Sequence, residues 1–201
     1  MTVPAHEHLC RRLAIALPGT FDEARARFER AVPVADELGY AAARSRQEAA
    51  TVAQANAPYG YMRYRRGDVD ILPTELSARG RAKQYLMGNH TLAETALRHE
   101  PSAMLHTTLH TVLFCDLRGK VRLAVDQPSL PLASYDNPYL TAVGEHFDAM
   151  LARLIAGLGG CVPEHLRSAL VDHYGLPPGQ GFQPRTRPRR TNSAESSEVT
   201  V

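Results

Sequence analysis

Apolar and polar residues alternate over Arg12–Leu17 before Pro18-Gly19 interrupts them, which predicts a first strand. Thr20 stands three residues before Glu23, the spacing of a capping box, and Phe21, Ala24, Phe28, Ala31 and Val32 recur at helical intervals. An amphipathic helix over 21–32, laid on a sheet, is expected. Residues 36–56 are rich in Ala, Arg, Gln and Glu with few large apolar side chains, and read as a partly exposed helical insertion or lid. Tyr59, Tyr61 and Tyr64 then interleave with Arg63, Arg65 and Arg66 over strand length. A half-buried strand is favoured there over a nucleic-acid stacking platform.

Beyond a short turn-bearing element over Asp68–Leu76 and a basic loop over Ser77–Arg81, Lys83–Met87 reads as a strand ended by Gly88-Asn89-His90. Thr91 and Glu94 form a second capping-box pattern, opening a helix through about His99 that Glu100-Pro101 closes. Leu105–Cys115 and Lys120–Asp126 read as a hairpin turning at Asp116–Gly119, and 127–136 as a Pro- and Ser-bearing loop. Asn137-Pro138 starts a long helix, in which Leu140, Val143, Phe147, Met150, Leu151, Leu154, Ile155 and Leu158 keep a 3.6-residue spacing until Gly159-Gly160. These elements predict an N-terminal arm (1–11), an α/β (α+β) domain (12–160), a C-terminal helix within 161–176 and a disordered tail (177–201). The domain should be a two-layer sandwich, a largely antiparallel sheet with helices packed on one face, in β-α-β(4)-α order.

Composition narrows the function classes. The 201 residues are 44% hydrophobic and 22% charged, the balance of an ordinary globular chain. No apolar run reaches the roughly 18–20 residues of a membrane span, and the N-terminus lacks signal-peptide organisation, so a cytoplasmic location without membrane association is expected. Cys10, Cys115 and Cys161 show no CxxC spacing, which argues against a disulfide framework or thiolate zinc site. A net charge of +2, with Arg185, Arg187, Arg189 and Arg190 in the tail, gives little support to nucleic-acid binding. No Gly-rich phosphate loop, Gly-x-Ser-x-Gly elbow or paired-carboxylate spacing is present.

His106 and His110 carry the most suggestive chemistry. On a helix they would share a face and could chelate one ion; on a strand they would lie roughly 13 Å apart, too far for one metal. The Thr, Val and Phe content of 107–114 favours the strand. Alternation then places Leu105, Thr107, Leu109, Thr111, Leu113 and Cys115 toward the helices, and His106, Thr108, His110, Val112 and Phe114 on the other face. That second face should meet solvent, a second subunit or a ligand pocket.

Several stretches in order resemble the domain of unknown function 302 family: Phe21–Ala24, Ala82–Asn89, Leu97–Pro101, Val125–Ser129 and Val143–Asp148. The resemblance covers about residues 12 to 160 and implies a fold similar to the TATA-binding-protein-like class, paired as a homodimer, without supplying an activity. His90 stands where the family often has Pro, His106 where it often has an aromatic residue, Thr108 where it often has Pro, and His110 where it often has Arg. Three such departures to histidine, a poor core filler that titrates near neutrality, point to a ligand site.

The expected site uses His90, His106 and His110 as acid and base, with Lys83, Tyr85, Asn89, Thr108 and Asp126 binding substrate and Asn89 or Lys83 stabilising developing negative charge. The reading is of a small-molecule-binding protein that isomerises, cyclises or eliminates from a small organic substrate, with no cofactor or metal. Two alternatives stay open: a haem or transition metal ligated by one of these histidines, and a non-catalytic dimeric binding module. His6 and His8 read as a mobile N-terminal pair.

Overall fold

The computed structural model describes residues 7–64, 69–70 and 81–167. The tail at 177–201, the part beyond residue 167 of the helix expected within 161–176, most of 68–76, the loop at 77–80, Arg65, Arg66 and His6 lie outside them.

β1 (Arg12–Ala16) alternates as expected, with Leu13 and Ile15 buried and Arg12, Ala14 and Ala16 exposed. α1 (Phe21–Ala31) begins on the predicted capping box: the Glu23 amide donates to Thr20 Oγ1 at 3.3 Å and the Thr20 amide to Glu23 Oε2 at 2.8 Å. Its Phe21, Ala24 and Phe28 are buried. The segment expected to be a helical insertion forms two short helices, α2 (Glu37–Ala42) and α3 (Arg46–Ala55), capped by Asp36 and Ser45.

β2 (Met62–Arg63) and β3 (Val69–Asp70) both pair antiparallel with β4 (Ala82–Gly88). The tyrosine-rich strand is therefore much shorter than expected; Tyr61, just before it, is fully buried and donates its hydroxyl to the Phe147 carbonyl at 2.7 Å. After β4 come α4 (His90–His99), a 3-10 helix (Pro101–His106), β5 (Thr108–Cys115) and β6 (Val121–Asp126). α5 (Ser129–Ala133) and α6 (Pro138–Gly157) follow, and residues 164–167 are again helical.

The six-stranded sheet runs β1-β6-β5-β4-β2, with β3 also on β4, and all of these pairings are antiparallel. One face carries the core, where Leu13, Ile15, Tyr85, Met87, Leu109, Leu113, Leu123 and Val125 pack with Phe28 of α1 and Val143, Phe147, Leu151 and Ile155 of α6. The two-layer α/β sandwich is thus as the pattern predicts, with more helices interleaved than β-α-β(4)-α.

Three local expectations are corrected. The second capping box is not the start of α4: Asn89 is the N-cap, its side chain accepting from the Leu92 amide at 3.0 Å, and Glu94 pairs instead with Arg98 at 2.6 Å. β4 runs to Gly88 and leaves Asn89 alone at the junction, where Asn is a stronger cap than an ordinary helix residue. The strand expected from Leu105 starts at Thr108, since Pro101 initiates a 3-10 helix whose Ser102 amide is capped by Glu100 at 2.9 Å. Leu105 is consequently 77% exposed rather than in the core. Within 127–136, expected to be loop, Ser129–Ala133 is helical.

Candidate functional site

From Thr108 onward β5 keeps the predicted faces: Leu109, Thr111 and Leu113 are buried, while Thr108, Val112 and Phe114 are half-buried and His110 is exposed. Where β5 begins and β6 ends, the 3-10 helix and the chain segment before β1 close around a cleft of about 170 Å³. His106, Thr108, His110 and Asp126 line it, joined by His8 and Cys10 from the N-terminal segment and by Gln127. Leu9, Leu105, Leu109, Pro128 and Pro131 supply apolar walls.

His106 reaches the cleft from the last position of the 3-10 helix and His110 from the strand, so their approach owes nothing to strand alternation. The His106 ring meets His8 edge-on at 5.1 Å between centroids and Tyr135 at 6.0 Å. Partial burial, then the neighbouring His8, lower the His106 pKa from 6.5, so its imidazole is neutral at pH 7. His110 Nδ1 lies 3.2 Å from the Gln84 side-chain nitrogen. With Gln84 donating, Nδ1 is the acceptor and Nε2 carries the proton. Asp126 accepts from Arg12 Nε at 3.0 Å, a pairing at the solvent-exposed end of β1. Slight desolvation and the Asp126 carboxylate raise the Cys10 pKa, which keeps a thiol rather than a thiolate there.

Gln127 ties the cleft wall to the core. Its Nε2 donates to Asp148 Oδ2 at 2.5 Å, the Ser129 hydroxyl to the same oxygen at 2.7 Å, and the Ser129 amide to Oδ1 at 3.1 Å. Asp148 is only 3% exposed, and burial raises its pKa from 3.8 against the lowering effect of those donors. One helical turn earlier, Gly144 makes the approach feasible, because a Cβ there would stand 2.8 Å from Ser129 Cα.

The remaining sequence-predicted residues lie elsewhere. Lys83 and Tyr85 point to the helix layer, where the Tyr85 hydroxyl donates to Glu29 at 3.0 Å and Lys83 Nζ lies 4.0 Å from the same carboxylate. The Asn89 carboxamide is spent on the α4 cap and on the Gly60 carbonyl at 2.7 Å. His90 sits between Tyr40 and Tyr64, at 4.5 and 5.4 Å between ring centroids, on a separate groove. Sequence reasoning missed the cleft roles of His8, Cys10 and Gln127. The alternating run into β1 was the available signal, since pairing β1 with β6 necessarily brings residues before Arg12 beside Asp126.

Among the described residues no group of three or more His, Cys, Asp or Glu side chains is arranged to hold a metal ion. No described helix is long and apolar enough to cross a membrane.

The sheet with helices on one face has the fold of a solved DUF302 structure. It is similar to the crystal structure of an uncharacterized conserved protein DUF302 from Bacillus stearothermophilus, with a TM-score of 0.52 at 10% identity, over 73% of this chain and 97% of that one. No family model matches the sequence, and no curated protein does. The likeness extends to the fold.

Proposed function

We propose that the chain binds a small organic molecule in the cleft and acts on it by histidine acid/base chemistry, in an isomerisation, cyclisation or elimination. The observation that carries this reading is the convergence of His106, His110, Thr108 and Asp126 on one recess. His106, neutral at pH 7, accepts the substrate proton and, as the imidazolium, returns it at another position, while His110 Nε2–H hydrogen-bonds the negative charge that develops on the substrate. The Thr108 hydroxyl orients the substrate by hydrogen bonding, and the apolar walls exclude part of the water that would compete for the proton. Asp126 keeps Arg12 and Cys10 in place at the rim.

A fragment screen by ligand-observed NMR, run on the wild type and on His106→Gln and His110→Gln, tests the proposal. Fragments that bind the wild type, compete with one another and are lost from both variants support it. Fragments indifferent to both substitutions overturn the site, and binding without turnover of any fragment bearing an acidic C–H favours the binding-module alternative.

A second element of the reading is a homodimer through the outer sheet face. Ala14, Ala124, Val112 and Gln84 form one cross-strand row, and Ala16, Arg122, Phe114 and Ala82 the next. Among the described residues no helix covers these positions, whose Val112 and Phe114 side chains are only half-buried. Sedimentation of the wild type beside Val112→Lys/Phe114→Lys reads this directly: a dimer that dissociates in the variant is expected, and a monomeric wild type rejects it.

A further inference from the structure

The groove holding His90 has a different chemistry from the cleft. It is larger, about 560 Å³, and open to solvent. One wall comes from the α2–α3 segment, with Tyr40, Arg44, Ser45, Arg46 and Ala49; the other comes from α4, with His90, Ala93, Glu94 and Leu97, and Met104 closes one end.

Its charges are unevenly placed. Glu94 already accepts from Arg98 at 2.6 Å and lies 3.8 Å from Arg46, so its carboxylate is compensated from its own helix. Arg44 forms no ion pair among the described residues; Glu48 takes up only its backbone amide, at 2.7 Å. Ser45 Oγ caps α3 by accepting from the Glu48 amide at 3.1 Å, which leaves its O–H to donate. Two guanidiniums and a hydroxyl, on three consecutive residues, thus line one wall of the groove. The same groove is also lined by the apolar Ala49, Ala93, Leu97 and Met104, with Leu97 46% and Met104 40% exposed.

We infer that this groove binds an amphipathic organic anion, its carboxylate or phosphate head against Arg44, Arg46 and Ser45 and its apolar body along Ala49, Ala93, Leu97 and Met104. Guanidiniums match either head group by paired N–H donors, and the apolar strip separates such a ligand from an inorganic ion. The ring of His90, held against Tyr40, also lines the groove. The inference is independent of the cleft.

Isotope-labelled full-length protein titrated in parallel with hexanoate, hexyl phosphate and inorganic phosphate tests it. Saturable amide shifts at Ser45, Ala49, Ala93 and Leu97 with hexanoate or hexyl phosphate are expected, and the tighter of the two identifies the head group. Arg44→Gln/Arg46→Gln should weaken that binding about tenfold or more, the loss of roughly one charge-assisted hydrogen bond, with an unchanged far-UV spectrum. Absence of saturation, inorganic phosphate binding as tightly as hexyl phosphate, or a double variant binding like the wild type would each overturn it.

Discussion

Replacing Asp148 with Ala should loosen the cleft from beneath without touching a residue that lines it. The carboxylate accepts three hydrogen bonds, from the Gln127 amide group and from the hydroxyl and backbone amide of Ser129. Hydrogen bonds to a charged acceptor are worth about 1.5–3 kcal/mol each. Ser129 is only part-buried, so water replaces its share in the variant, whereas Gln127, 5% exposed, keeps its bonds to the Ser129 hydroxyl and to Arg11 but is left with one buried N–H unpaired. Relief of the burial penalty on the carboxylate offsets part of the loss. The net cost should be about 3 kcal/mol, or roughly 6–12 °C in Tm for a chain of this size. Asp148→Asn should cost less and alter the pH dependence. Because burial holds the folded-state pKa above 3.8, the native protein keeps this proton longer than the unfolded chain does. Asp148 therefore makes stability decline as pH rises from 3.8 through its folded pKa, and the Asn variant should lack that decline. Urea unfolding followed by circular dichroism across this range measures both. A cost for Asp148→Ala below about 0.5 kcal/mol, the level of an ordinary surface change, would refute the reasoning.

Gly144→Ala tests the same contact sterically. Alanine is about 1 kcal/mol better than glycine inside an exposed helix, but the 2.8 Å approach to Ser129 Cα should reverse the sign, so the urea midpoint is expected to fall. Thr111→Val should raise the unfolding free energy by about 1 kcal/mol, because the fully buried Thr111 hydroxyl has no hydrogen-bond partner among the described residues. Acidification should destabilise the chain through His106 and His90, whose folded pKa values lie below 6.5, mainly through burial. The unfolded state binds more protons from 6.5 down to the folded pKa values, so stability is lost as pH falls from 6.5 through those values, and His106→Gln/His90→Gln should flatten the profile.

Strand faces were legible wherever packing obeys a two-residue period. Leu109, Thr111 and Leu113 are buried as their alternation predicts, and Thr20 with Glu23 caps α1 as their spacing predicts. The same reasoning carried the strand too far back, to Leu105. Glu100-Pro101-Ser102 reads as the end of one helix, but it also begins a 3-10 turn, and a single turn is too short to show periodicity. That turn is what brings His106 to His110's cleft. α5 was illegible for another reason. Its N-cap is Pro128, without a side-chain cap, and the Ser129 amide is satisfied by Asp148, an acceptor 19 residues away that no local pattern reveals. The grouping of His90 with the strand histidines rested on β4 and β5 being neighbours. They are, but His90 begins a helix that turns its ring toward Tyr40 and Tyr64.

His106 and His110 share a cleft with His8, while His90 belongs to another groove. Long-range proton–nitrogen NMR of the imidazoles across pH tests that division most directly. It should show a His106 midpoint below 6.5 that rises in His8→Gln, a His110 protonated on Nε2 when neutral, and neither affected by His90→Gln. A His106 that titrates at its ordinary value and ignores His8→Gln, or that responds to His90→Gln, would contradict it.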